Sequence, residues 1–170
     1  MKKAFTILIV VFFVSCSSVR VTTDYDTSTD FNKYKTFAFY KKGIDKASIS
    51  DLDKKRIMRF IESELLSKGY KKSNSPDVLV SIFTKSREKI NVSGNNYAGY
   101  WYPRYYNANQ ISITQKTEGT LFIDFIDKNK KELIWQGIGT GTLMTYSANK
   151  KEKRIKQFVQ EVLDKYPPKK

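Results

Sequence analysis

The sequence predicts an α+β fold: one mainly antiparallel sheet, in the order β-β-α-β-β-β-β-α, with two helices packed on one face. Three observations predict it. Ile57, Phe60, Ile61 and Leu65 recur at helical spacing, and so do Ile155, Phe158, Val159, Val162 and Leu163. The remaining apolar segments are short, rich in β-branched and aromatic residues, and often alternate with polar ones, as half-buried strands do. Those strands are mostly joined by hairpin turns, with helices inserted at only two points, which favours antiparallel pairing. At 170 residues the chain is long enough for one domain with a core of ordinary size.

The first segment is not part of that fold. Met1-Lys2-Lys3 is charged, Ala4 to Val14 is apolar except for Thr6, and Ser15 is a small residue before Cys16. A charged start, a short apolar run and a small residue make a secretory signal peptide. The run is too short for a transmembrane helix, which needs about 20 residues. Phe13-Val14-Ser15-Cys16 resembles the lipobox of bacterial lipoproteins, in which the cysteine thiol receives a diacylglyceryl group before cleavage on its N-terminal side; Phe13 stands where leucine is usual. The competing reading, a simple signal peptide with an incidental cysteine, leaves an odd free thiol in an exported chain. The expected organisation is a signal peptide over 1–15, a lipidated tether over 16–18, one α+β domain over 19–166 and a tail over 167–170. No aspartate follows Cys16 and no acidic run follows it, so the expected address is the periplasmic face of the outer membrane.

Val19 to Tyr25 alternates and is β-branched, so it reads as a strand, and Tyr34 to Tyr40 reads as a second. Asp26 to Lys33 between them is a polar turn. Ser50 or Asp51 opens the first helix as an N-cap, and Gly69 closes it as the residue after the C-cap. Pro76-Asp77 introduces a third strand over Val78 to Thr84, with a possible extension through Ile90. Residues 91–110 are rich in Asn, Gly, Tyr and Trp and read as a loop or long hairpin end. Ile111 to Thr117 and Gly119 to Asp127 read as two strands, and Lys128 to Lys131 turns the second back into Glu132 to Leu143. The last helix spans about Ala148 to Lys165, stopped by Pro167-Pro168. The first strand begins three residues after Cys16, so a tether of at most about 10 Å holds the domain close to the bilayer.

In order along the chain, Asp24-Tyr25-Asp26, Asp30-Phe31 with Tyr34-Lys35-Thr36-Phe37, Lys68-Gly69-Tyr70 and Ser75-Pro76-Asp77-Val78-Leu79-Val80 form a recognisable series. It continues through Glu118-Gly119-Thr120-Leu121 with Ile123-Asp124, Trp135-Gln136-Gly137 and Lys165-Tyr166-Pro167-Pro168. This series resembles the domain of unknown function 4136 family of bacterial lipoproteins. The resemblance implies an outer-membrane or periplasmic lipoprotein of unassigned role and supplies no catalytic residues.

Composition narrows the chemistry. There is no histidine and one cysteine, which excludes a Ser-His-Asp triad, a Cys-His pair, an ordinary zinc site of His and Cys, and an intramolecular disulfide. No metal site and no cofactor is expected. The net charge is +14, and losing Lys2 and Lys3 leaves +12. On an exported chain this points to anionic lipid, cell-wall polymer or acidic protein rather than nucleic acid, or else serves solubility alone.

Two surfaces are candidates for contact. Tyr97, Tyr100, Trp101, Tyr102, Tyr105 and Tyr106 crowd together with Arg104, offering flat faces and hydroxyls to a glycan, an envelope protein or the membrane interface, or folding back on the sheet. Lys150, Lys151, Lys153, Arg154 and Lys156 open the last helix, where positive charge opposes the helix dipole; they face either anionic lipid or water. The only carboxylate groupings are Glu118, Asp124 and Asp127, and Asp24 with Asp26. By strand parity Asp124 and Asp127 point to opposite faces, so no glycosidase-type acid pair is expected. The readings in order are a non-catalytic binding or envelope-assembly module, an accessory lipoprotein of a transport system, and a carboxylate-based hydrolase of cell-wall glycan.

Overall fold

The computed structural model describes residues 19–94, 111–143 and 147–168, with side chains left out of account for 91–94 and 111–113. Among these residues the strands are β1 (Val19–Tyr25), β2 (Thr36–Phe39), β3 (Lys71–Lys72), β4 (Val78–Gly94), β5 (Ile111–Asp127) and β6 (Leu133–Leu143). The helices are α1 (Lys41–Ile44), α2 (Asp51–Ser67) and α3 (Ala148–Leu163), with a 3-10 turn at Phe31–Lys33. All six strands form one sheet in the order β1-β6-β5-β4-β2-β3. The fold class is the expected α+β, but the sheet is mixed: β2 runs parallel to both β4 and β3, while the β1-β6, β6-β5 and β5-β4 pairs are antiparallel.

The parallel pairs follow from α2. A strand can lie parallel to its neighbour only after a crossover, and α2 carries the chain back across the layer between β2 and β4. Ser50 caps α2: its Oγ accepts from the Asp53 N–H and donates to Asp53 Oδ2 at 2.9 Å. Ser50 is thus the N-cap, and the Asp53 carboxylate at the third helical position holds its hydroxyl in place. At the other end Gly69 takes φ +86°, with Gly69 N–H bonded to Leu66 O and Tyr70 N–H to Leu65 O. That pair of bonds is a Schellman stop, which needs a left-handed residue at that position.

Two expected strands, 111–117 and 119–127, are one strand, β5. Its pairing with β4 runs unbroken from Val78↔Asp127 to Gly94↔Ile111, while its pairing with β6 ends at Thr117↔Leu143. Past that point β4 and β5 pair only with each other. They form a two-stranded ribbon that leaves the body of the sheet by about 20 Å at strand rise. The polar sequence around Glu118 reads as a break because the strand there passes from the sheet into the ribbon.

One sheet face carries the core. Val78, Val80, Ile82, Leu121, Ile123, Phe125 and Trp135 point towards α2 and α3, whose Ile57, Ile61, Leu65, Val159, Val162 and Leu163 are buried against them. β6 contributes almost no side chain beneath α3. A Cβ on Gly137 would collide with the Trp135 ring and Val162 Cγ1, and one on Gly139 would lie 2.8 Å from Val162 Cγ2. The bare backbone lets α3 lie directly on the sheet.

Below this contact Tyr166 closes the core. Its ring stacks on Phe125 at 3.9 Å between centroids and meets Trp135 at 5.0 Å, Tyr70 at 5.7 Å and Phe31 at 6.1 Å. Its hydroxyl lies 3.3 Å from that of Tyr70. Large-to-small truncation of such a ring costs about 3–5 kcal/mol, and loss of one neutral hydrogen bond about 1 kcal/mol. In urea unfolding, Tyr166→Ala is therefore expected to lose several kcal/mol and Tyr166→Phe about 1 kcal/mol or less. Equal losses would show that the hydroxyl, not ring packing, is what matters.

Candidate functional site

β1 begins, β6 ends and the ribbon departs at one end of the sheet: Val19 pairs with Gly141, and Leu143 with Thr117. Both long helices start there as well. They run side by side in the same direction, since Lys151 meets Asp53, Arg59 meets Glu152, Gln160 bonds Glu64 at 2.9 Å and Tyr166 meets Tyr70. The positive ends of both helix dipoles thus face the ribbon end.

The basic residues singled out on α3 divide into two groups. Lys151 Nζ lies 2.5 Å from Asp53 Oδ2, and Arg154 donates to Gln157 Oε1 at 2.7 Å while its guanidinium sits 4.7 Å over the Phe158 ring. Lys151 ties α3 to α2, and Arg154 reaches from α3 to the Thr142 carbonyl of β6 at 3.5 Å. Lys150, Lys153 and Lys156 are exposed. Burial would push the Asp53 carboxyl up, but hydrogen bonds from Lys151, Ser50 and Arg56 outweigh it and hold it below the usual carboxylate range.

A second basic group lies on the opposite face of the sheet at the same end. Glu118 accepts from Arg87 Nε at 2.7 Å, with Lys89 at 3.8 Å and Arg20 at 3.9 Å. The Arg87 hydrogen bond is the main reason the Glu118 carboxyl lies below its ordinary range. Lys85 Nζ sits 5.7 Å over Phe83 and 5.6 Å over Phe122. None of these cations was singled out from the sequence. Their signal was legible in Lys85-Ser86-Arg87-Glu88-Lys89, where a period of two places three cations on one strand face.

The carboxylates do not converge. Asp124 and Asp127 lie on opposite faces, as parity requires. Asp124 and Asp24 flank Gln136 across the sheet, two strand spacings apart, about 10 Å. Burial raises the Asp124 carboxyl, and only Gln136 Nε2, donating at 2.7 Å, works against it. At the end of the sheet away from the ribbon, the acids tie turns. Asp26 accepts from Ser28 and Thr29, and Asp77 from the Lys35 and Thr36 N–H groups and the Thr36 hydroxyl. Asp127 accepts from Asn129 and Lys130 N–H and from the Tyr34 hydroxyl at 2.8 Å. Burial and this bond push the Tyr34 phenol up to about 12. Among the described residues no group of His, Cys, Asp or Glu is placed to hold a metal, and no helix is long and apolar enough to cross a membrane.

A cavity of about 450 Å³ opens at the ribbon end between the starts of the helices and the sheet. Cys16 and the aromatic residues Tyr97, Tyr100, Trp101, Tyr102, Arg104, Tyr105 and Tyr106 lie outside the described residues.

The family model described as Domain of unknown function (DUF4136) matches residues 21–168, and the chain belongs to this family. No curated protein matches. Among solved structures, the chain is similar to the crystal structure of a PDZ domain protein from Parabacteroides distasonis, at 18% identity and TM-score 0.56. That match covers 90% of this chain and 37% of the other, so the chain spans little more than a third of that protein's length; the likeness is one of fold. A PelC dodecamer from Paraburkholderia phytofirmans aligns at 10% identity and TM-score 0.47, over 85% of this chain and 95% of that one.

Two half-buried acids, Asp77 and Asp124, have opposite pH signatures. Hydrogen bonds from the Lys35 and Thr36 backbone and the Thr36 hydroxyl hold the Asp77 carboxyl low. Its contribution is present above the unfolded value of about 3.9 and is lost as pH falls through the folded value. Asp77→Ala is expected to cost about 1–2 kcal/mol at pH 7, with the gap to wild type narrowing below about pH 4. The Asp124 carboxyl is raised, so its ionised form weakens the fold above the unfolded value. Asp124→Asn keeps the acceptor for Gln136 and is expected to raise the urea midpoint at pH 7, with the gain vanishing at pH 3. A pH-independent difference in either variant would contradict the assignment.

Proposed function

We propose that this chain is a lipid-anchored bacterial envelope protein. Cys16 holds it to the periplasmic face of the outer membrane, where it acts as a non-catalytic binding or assembly module. The observation that carries this reading is the coincidence of features at the ribbon end. The start of β1, three residues beyond Cys16, lies on the same end as both helix N-termini and as Lys150, Lys153, Lys156, Arg20, Lys85, Arg87 and Lys89. A tether of about 10 Å brings that end to within reach of an anionic surface, where charge acts over about 8 Å at physiological salt. Each basic side chain at such a surface contributes about 1 kcal/mol.

The segment with Tyr97, Tyr100, Trp101, Tyr102, Arg104, Tyr105 and Tyr106 joins the two ribbon strands, and contact with an envelope protein or glycan partner belongs to this proposal. The hydrolase reading loses support because Glu118 is engaged by three cations and Asp24 and Asp124 stand two strand spacings apart with Gln136 between them. The role of accessory subunit in a transport system keeps one supporting observation: among the described strands β1 lies at the edge of the sheet, where a partner could add a strand.

Cells fed an alkyne-bearing palmitate analogue test the anchor. The wild-type chain is expected to take up label and sediment with outer membranes, and Cys16→Ser is expected to do neither. Label retained by Cys16→Ser would exclude the lipoprotein reading.

A further inference from the structure

The cavity at the ribbon end has walls of one chemistry and a mouth of another. Ile57 of α2, Leu121 of β5, Leu143 of β6, and Ile155 and Phe158 of α3 form apolar walls. The hydroxyl of Thr84 on its lining is covered and has no hydrogen-bond partner among the described residues. Lys151 and Arg154 stand at the lining against a single carboxylate, Asp53. Asp53 is also held by Arg56 at 2.8 Å, so Lys151 is free to share its charge without leaving that carboxylate unpaired. An ammonium has three donors, and the Lys151 side chain keeps 47% of its surface in solvent. The positive ends of two helix dipoles add to the field at the same place. A volume of about 450 Å³ lies within the range of small-molecule sites.

We propose that this cavity binds an anionic amphiphile. A hydrocarbon chain lies against Leu121, Ile155 and Phe158, and a carboxylate or phosphate head pairs with Lys151 and Arg154. The site goes beyond anchoring and does not rest on Cys16, so either reading can fail alone.

Photoaffinity labelling tests it. The full chain, in whichever cell fraction holds it, is mixed after lysis with diazirine-bearing palmitic acid or diazirine-bearing phosphatidylglycerol, irradiated, and its adducts mapped by peptide mass spectrometry. Adducts are expected on Leu121, Leu143, Ile155 or Phe158, reduced at least tenfold by excess unlabelled palmitate and not by hexadecanol. The probe that labels identifies a free fatty acid or a phospholipid as the source. Leu121→Trp and Ile155→Trp, each filling the cavity, are expected to abolish these adducts while circular dichroism stays unchanged; if either fails to fold, the competition in wild type still decides. Adducts scattered over the surface, or equal competition by hexadecanol, would overturn the proposal.

Discussion

The close approach of α3 to the sheet is the contact on which the rest of the structure depends. It has two parts. Bare backbone at Gly137 and Gly139 leaves room for Val162, and the buried Tyr166 ring locks the helix's far end between Phe125 and Trp135. With the helix fixed at its middle and C-terminus, its direction is fixed too. Its basic first turns can then lie only at the ribbon end. α2 follows, because Tyr70 meets Tyr166 at one end and Asp53 meets Lys151 at the other. The convergence of two helix N-termini, a cavity and a ring of cations is thus a consequence of packing some 20 Å away, about the length of α3 at 1.5 Å per residue.

Charge on this molecule has two functions that sequence alone does not separate. Lys151, Arg154 and Arg87 are engaged with protein groups and help fix the helices and strands; Lys150, Lys153 and Lys156 face solvent. The acids of the family series behave in the same way. Asp26, Asp77 and Asp127 recur in that series or beside it, yet each spends its oxygens on backbone N–H groups and hydroxyls of nearby turns. They are turn ties, the ordinary use of aspartate where a chain reverses.

What was legible in the sequence follows from which forces are local. The α2 boundaries were readable because Ser50 and Gly69 act within one helical turn, and α3 because its apolar stripe has a 3.6 period. The hairpin at 128–131 was readable for the same reason, with Lys131 in the left-handed region at φ 61°. The parallel placement of β2 was not, since side-chain alternation reports a strand's faces and not its neighbours. Nor was β3, which is two residues long, nor α1, whose Gly43 packs against Ser81 of a strand far along the chain. The division of β5 into two strands came from reading solvation as interruption. β5 pairs on both sides up to Thr117 and with β4 alone beyond it, a change of neighbours that the side-chain pattern does not report.

The central claim is orientation: the ribbon end faces the bilayer. Electron paramagnetic resonance depth measurement on the full lipidated chain in anionic membranes tests it most directly. Cys16 is the sole cysteine; under the proposed anchor its thiol carries lipid, so one nitroxide can be placed by Lys89→Cys, Lys150→Cys or Asn129→Cys. Positions 89 and 150 should report the headgroup region, shielded from a water-soluble relaxant, and position 129 should report bulk water about 35 Å further out at strand rise. A nitroxide at 129 in contact with lipid, or all three equally in water, would contradict the orientation.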